Sequence, residues 1–246
     1  MTLAIISAMP PELAALLAVL PTDQVQIVAG RKFHRGRLAG HDVVLGLSGI
    51  GKVAAAATAA ILCERFAVRA LMFTGVAGGL ADGVRVGDVV VGTECLQHDM
   101  DASPLFPRWE VPGTGRARFA ADARWAGLLA QAAGQVLCQP HAALASFGIQ
   151  APRRHQGLVI SGDRFVSSGA ESLALQLALP DALAVEMEGA ALAQVCADYG
   201  RPFAVLRTIS DRADDQAHVD FPRFLADVAA EYSRDIVLAA LTLATA

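Results

Sequence analysis

The chain has 246 residues, 54% hydrophobic and 18% charged, with a formal net charge of −4. That composition supplies a large buried core and excludes a disordered chain. The absence of a basic stripe argues against a nucleic-acid partner.

In chain order, Leu3 to Ala8 is an apolar run ended by Met-Pro-Pro-Glu, which predicts a buried strand and then a helix from about Pro11. Phe33 to Leu38 and Asp42 to Leu47 flank Ala-Gly-His and predict a hairpin. Gly49-Ile-Gly-Lys opens an Ala-rich helix to about Phe66. Ala70 to Thr74 predicts a strand ending in the turn Gly75-Val-Ala-Gly-Gly, and Val86 to Cys95 the next strand. Pro104 to Arg118, with three prolines and two glycines, reads as a long loop, and a helix follows from about Ala121. Ala143 to Phe147 and Gly157 to Ile160 read as strands. Ser168 with Glu171 forms a capping-box pattern at the next helix. Ala182 to Val185 is read as a strand, Glu186 to Tyr199 as a helix, Phe203 to Ile209 as the last strand, and Pro222 to Ala246 as a long amphipathic helix. Strands interleaved with helices predict a mostly parallel or mixed sheet covered on both faces. With no linker and no repeat, residues 1–246 form one domain on this reading.

A membrane span needs about 20 mostly apolar residues in a row. The longest uncharged stretch, Ala126 to Pro152, is broken by Gly134, Pro140 and several Gln residues. Met1 to Met9 has no basic segment and leads into Pro10, Pro11 and Glu12, unlike a signal peptide, so a cytoplasmic protein is expected. Cys63, Cys95, Cys138 and Cys196 share no CxxC spacing and read mainly as small buried hydrophobes. The pair His98 and Asp99 is read as loop structure and not as metal ligands.

In open α/β sheets, ligands bind beyond the carboxyl ends of strands. Five such ends carry Glu12, the Gly75 turn, Ser161-Gly-Asp163, Glu186-Met-Glu188 and Ser210-Asp211. Carboxylates at four of the five suggest acid/base work, because neighbouring carboxylates push their pKa values apart. Each residue also has an ordinary reading. Glu12 fits a first-turn acid favoured by the helix dipole, Asp211 an N-cap, Asp163 a turn residue, and Phe165 a core aromatic. Asp214, Asp215 and His218 read as a solvated turn with a helix cap.

The segments Ser48-Gly-Ile-Gly-Lys-Val-Ala, Thr74-Gly-Val-Ala-Gly-Gly, Val84-Arg-Val-Gly-Asp-Val-Val-Val, Ser161-Gly-Asp, Val185-Glu-Met-Glu-Gly-Ala-Ala and Arg207-Thr-Ile-Ser-Asp occur in the order seen in a known family. Over nearly its whole length the chain resembles the methylthioadenosine/S-adenosylhomocysteine nucleosidases of the nucleoside phosphorylase-I superfamily. The resemblance implies a single-domain three-layer α/β/α fold with a central mixed, twisted sheet. It implies hydrolysis of the N-glycosidic bond of a 5′-modified adenosine, with no cofactor or metal and a homodimeric state. By resemblance, Asp211 protonates purine N7, Glu12 activates water and Glu188 bonds the ribose hydroxyls. Met187 packs on the sugar, Phe165 stacks on the base, the Val166 backbone bonds the base edge and Phe221 lies near the 5′ group. Arg207 and Ser210 orient the carboxylates, Glu186 has a supporting role, and Met9, Val76 and Ala77 complete the binding site.

Two features depart from the family. Val76 stands where Ser is frequent, and its side chain cannot donate a hydrogen bond. The loop Ser103 to Gly113 differs, and its Leu105, Phe106 and Trp109 are expected to form an apolar pocket edge, lent by a partner subunit. The rival readings are phosphorolysis, which needs cationic groups around phosphate, a nucleosidase for another 5′ group such as that of futalosine or a hopanoid precursor, and a nucleoside sensor without turnover. No Arg near Met9 or Ser48 matches the phosphate-binding positions of the phosphorylases.

Overall fold

A computed structural model describes residues 2–213 and 221–245. Strand β1 (Leu3–Ser7) feeds helix α1 (Pro10–Ala18), and β2 (Thr22–Val28), β3 (Arg31–Leu38) and β4 (His41–Leu47) follow as a meander. Next come α2 (Lys52–Phe66), β5 (Ala70–Gly79), β6 (Val89–Gln97), β7 (Arg118–Ala120), α3 (Ala123–Leu137) and α4 (Ala142–Ser146). The chain continues through β8 (Arg154–Ser161), α5 (Gly169–Ala178), β9 (Ala182–Glu186), α6 (Gly189–Asp198) and β10 (Phe203–Asp211). It closes with α7 (Phe221–Phe224), a π-helical turn (Leu225–Ala229) and α8 (Ala230–Thr245). Asp214, Asp215 and His218 lie outside the described residues.

The ten strands form one mixed sheet in the order β10-β6-β8-β9-β5-β1-β4-β3-β2, with β7 beside β6. This is the expected α/β architecture, with one addition. Strand β10 also pairs with β5, so β5, β10, β6, β8 and β9 close into a ring. Each of those strands gives a side chain to one buried apolar cluster: Ala77, Ile209, Val90, Val159 and Ala184. Small closed sheets are filled this way by inward side chains.

Alternation along β1 shows the layering. Leu3 and Ile5 pack with Leu16 of α1, Leu129 of α3 and Leu241 of α8. Ala4 and Ile6 pack with Leu62 of α2 and Leu192 of α6. Every residue of β10 is buried, as expected for a strand covered on both faces. Cys63, Cys95 and Cys196 are buried and Cys138 is exposed. Burial raises the thiol pKa of all three buried cysteines.

Several boundaries differ from expectation. Ala143 to Phe147 is not a strand; Ala143 to Ser146 fall in the short helix α4, with Phe147 as its C-cap, where Ala favours helix and Leu144 is buried in the core. Strand β2 escaped the sequence reading because its Thr-Asp-Gln-Val-Gln-Ile-Val run is a mostly exposed sheet edge. The Gly75 to Gly79 run is not a turn but the end of β5. Helix α3 starts at Ala123, after an N-cap in which the Asp122 carboxylate accepts the Trp125 N–H. At α5, Ser168 does accept the Glu171 N–H, but the Glu171 carboxylate pairs with Arg164 at 3.2 Å instead of closing the box. Glu186 ends β9, so α6 begins only at Gly189.

The core makes a direct prediction. Leu241→Ala, at a fully buried site between α8 and the sheet, is expected to lower unfolding free energy by about 2–5 kcal/mol. Leu177→Ala, at a position 77% exposed, is expected to change it by less than about 0.5 kcal/mol. Urea denaturation of both variants compares them directly.

Candidate active site

The strand ends gather around one cavity of about 150 Å³. From the end of β1 come Met9 and Glu12; from β5, Val76, Ala77 and Gly78. The turn after β8 gives Phe165 and Val166, β9 and its exit give Glu186, Met187 and Glu188, and β10 gives Ser210 and Asp211. Phe221 of α7 completes the wall. Every catalytic and substrate-binding residue named from the resemblance lines this cavity except Arg207, which lies behind it. Ala8, Ile50, Arg164 and Val185 also line it and were not anticipated.

Arg207 is 1% exposed, with its guanidinium 4.5 Å from the centre of the Phe73 ring. It pairs with Glu186 and lies 3.8 Å from Glu188. Burial alone would lower its pKa, but Glu186, Glu188 and Glu12 together hold it above the usual arginine value. Glu186 turns inward to accept N–H bonds from Glu188 at 3.1 Å and Gly189 at 2.9 Å, and a bond from the Ser161 hydroxyl. Ser161 in turn accepts the Ala190 N–H at 2.7 Å. The unpaired donors at the start of α6 are thus satisfied by side chains from β8 and β9, which explains why the helix starts late. Ser161 was visible only as part of a motif.

Glu12 is 1% exposed and sits in the first turn of α1. One carboxylate oxygen accepts the N–H groups of Ala8 at 2.9 Å and Met9 at 2.7 Å, and the other accepts the Val76 N–H at 3.1 Å. It is both a helix-terminus acid and a cavity residue, so its two readings coexist. Burial raises its pKa, against the opposing pull of Arg207 and the three amides. Val76 serves Glu12 through its backbone N–H, a donor that valine keeps. The glycine beside it permits the approach: a Cβ on Gly75 would lie 2.6 Å from Glu12 Oε1 and 2.7 Å from Arg207 Nη1.

Glu188 is the N-cap residue of α6 and accepts the Gly51 N–H at 2.9 Å. Burial first, and then Glu186, push its pKa up to about 7, while Arg207 and the Gly51 N–H pull it down. Glu186 ends β9 and Glu188 follows two residues on, and both reach the cavity. Asp211 closes β10 opposite Gly78, where the register shifts. It accepts the Ser210 hydroxyl at 2.7 Å and the Ala213 N–H at 2.8 Å. Phe165 is 46% exposed and meets Phe221 edge-on with ring centres 6.3 Å apart, so it is a wall residue and not a core aromatic.

Leu105, Phe106 and Trp109 do not line this cavity. Trp109 is tied down by its indole N–H to the His98 carbonyl, whereas Leu105 stays 83% exposed. Among the described residues, no group of three or more His, Cys, Asp or Glu side chains is arranged to hold a metal ion.

Residues 2–242 match the profile of the Phosphorylase superfamily. The chain is 38% identical over 244 residues to a 5′-methylthioadenosine/S-adenosylhomocysteine nucleosidase of Geobacillus thermodenitrificans, covering 99% of this chain and 97% of the relative. Its fold superposes with a TM-score of 0.87, at 37% identity, on the same kind of nucleosidase from Neisseria meningitidis in complex with methylthio-immucillin-A, covering 98% of this chain and 99% of that one. A futalosine hydrolase of Helicobacter pylori superposes at 0.83 with 30% identity, covering 98% of this chain and 97% of that one.

A raised acid pKa in the folded state makes stability pH-dependent with a definite sign. Glu188 binds its proton more tightly folded, at about 7, than at the ordinary 4.5. Its contribution is therefore fully present below 4.5 and lost as pH rises through about 7. Glu188→Gln is expected to become progressively more stable relative to wild type across that interval. Carboxyl-carbon NMR is expected to show Glu188 titrating near 7, and a midpoint near 4.5 would contradict the site's electrostatics.

Proposed function

This chain belongs to the Phosphorylase superfamily and, within it, to the 5′-methylthioadenosine/S-adenosylhomocysteine nucleosidases, and on that premise we propose that its cavity binds a 5′-substituted adenosine and hydrolyses the N-glycosidic bond. The observation that carries this reading is the convergence of Glu12, Glu188 and Asp211 on one cavity.

Cleaving C1′–N9 builds positive charge on the ribose and sends the bonding electron pair into the purine. Asp211 delivers a proton to N7, so the base leaves as neutral adenine. Glu188 accepts bonds from the ribose hydroxyls and, with Glu12, sets negative charge beside the developing cation. Glu12 takes a proton from the attacking water as its oxygen bonds to C1′. The raised pKa of Glu12 suits a base, since a more basic carboxylate accepts a proton more readily. Phe165 stacks on the base, the Val166 backbone bonds its edge, Met187 and Met9 pack on the sugar, and Phe221 lies toward the 5′ group. Val76 and Ala77 supply backbone wall, while Ser210 orients Asp211 and Arg207 orients the glutamates through Glu186. Preorganised charges in a site shielded from water contribute heavily to such rates.

Water, and not phosphate, is the nucleophile in this reading. Of the two nearby arginines, Arg207 is committed to Glu186, and Arg164 is 79% exposed and paired with Glu171. A phosphate dianion beside Glu12 would meet like charge. The 5′ group is read as methylthio first and homocysteinyl second, with the futalosine hydrolase likeness making a bulkier group the alternative. The assembly is read as a cytoplasmic homodimer in which the exposed Leu105 and Phe106 edge meets a second copy. No helix among the described residues is long and apolar enough to cross a membrane.

Purified protein is expected to release adenine from methylthioadenosine at a rate independent of phosphate; phosphate-dependent formation of a ribose 1-phosphate would overturn hydrolysis, and binding without release would favour a sensor. Asp211→Asn is expected to retain substrate binding and lose turnover by about 10²–10⁴-fold. Near wild-type adenine release by that variant would remove Asp211 as the acid. A panel of 5′-substituted adenosines ranks the 5′ groups.

A further inference from the structure

The backbone donor that reaches Glu188 comes from a turn that is itself clamped by charges. Gly51, the N-cap of α2, has φ +98°, a region open to glycine, and a Cβ there would meet Asp163 Oδ1 at 3.1 Å. The next N–H along, that of Lys52, bonds the same Asp163 oxygen at 2.7 Å. The Lys52 ammonium meets Asp99 Oδ1 at 2.6 Å and lies 4.0 Å from Asp163 Oδ2. Asp99 closes the circuit by accepting the Asp163 N–H at 2.9 Å. The start of α2 and the turns after β6 and β8 are thereby tied together one residue from the Gly51 amide.

We propose that Lys52, Asp99 and Asp163 form a positioning clasp that holds the Gly51 N–H on Glu188 and so fixes how Glu188 presents its carboxylate to the ribose. The inference rests on the reading of Glu188 as the ribose-binding carboxylate. None of the three lines the cavity, so they act through the turn and not on the substrate. Exposed ion pairs alone contribute little stability; this one matters through direction, because an N–H aimed at a carboxylate favours its ionised form. Glu188 faces Glu186 from β9 and Glu12 from α1, both of which disfavour its charge. Against them stand Arg207 of β10, at 3.8 Å and shared with Glu186, and the Gly51 N–H at 2.9 Å.

The sign of one shift tests the clasp. Asp163→Ala removes a negative charge, and through space alone that would make Glu188 titrate lower. If the clasp holds Gly51 in place, losing it withdraws the N–H and Glu188 titrates higher. Expected for Asp163→Ala is an acid limb of kcat/KM, measured by adenine release, displaced upward by about one pH unit. Activity is then about tenfold lower on the acid side and level with wild type above about pH 9. Asp163→Asn keeps an acceptor for the Lys52 N–H while losing the same charge, and is expected to return the acid limb to the wild-type position or slightly below it. Asp99→Ala, which also removes a negative charge, provides a second variant with the same expected upward sign should Asp163→Ala not fold. A downward or absent shift in folded Asp163→Ala or Asp99→Ala, or a loss equal at every pH, overturns the proposal. Carboxyl NMR of Glu188 in the same variants reads the shift without turnover, so failure of wild type to release adenine would defeat the nucleosidase reading and leave the clasp still decided.

Discussion

One buried guanidinium holds the site together. Arg207 stands on a strand covered on both faces, stacked on Phe73, and it is the positive charge set against Glu12, Glu186 and Glu188. Taking charges out of water is expensive unless they are paired and hydrogen-bonded. Here the pairing is deliberately incomplete. Glu186 takes the closest contact and several amide donors besides, whereas Glu188 is left 3.8 Å away with a carboxyl poised near neutrality. The closest contact of the guanidinium goes to a residue that also holds the start of α6, and Glu188, which lines the cavity, is gripped less closely.

The closed half of the sheet makes this arrangement possible. Because β10 bonds to both β5 and β6, and β9 returns to β5, carboxylates far apart in sequence emerge within one rim. An open sheet would spread the same strand ends along a line. The glycines at the end of β5 allow the rim to be narrow. At Gly75 any side chain would intrude on both Glu12 and Arg207, and at Gly78 a Cβ would come within 2.9 Å of Asp211.

Much of this was legible in the sequence, and the gaps have physical causes. Strands that open on apolar runs, such as Leu3 to Ala8 and Phe203 to Ile209, declared themselves, and so did the acids that follow them. Of the strand-end acids expected to share one cleft, Glu12, Glu186, Glu188 and Asp211 line the cavity and Asp163 does not. The edge strand β2 carries too few apolar residues to be distinguished from a loop, and the Ala-rich segment of α4 is short enough to fit either period. Glycines read as a turn were the continuation of a strand, since glycine marks close approach as readily as a bend. Backbone donors leave the least trace. The N–H groups of Gly51, Val76 and Ala213 hold Glu188, Glu12 and Asp211, yet nothing in those residue types says so. Asp99 and Asp163, read as loop and turn residues, are such residues locally and bind each other across a gap of 64 positions.

The terminal helix carries a phase slip that its amphipathic pattern conceals. Between α7 and α8 the turn Leu225–Ala229 is π-helical, which inserts one extra residue into the winding. Each residue of an α-helix advances the winding by about 100°. Without the insertion, Phe221 would be rotated by roughly that angle relative to Ile236 and Leu241, away from the cavity that it now lines. Leu225, Val228 and Ala229 of the turn are themselves buried in the core, so the extra residue sets the phase of the core face and of the cavity wall at once.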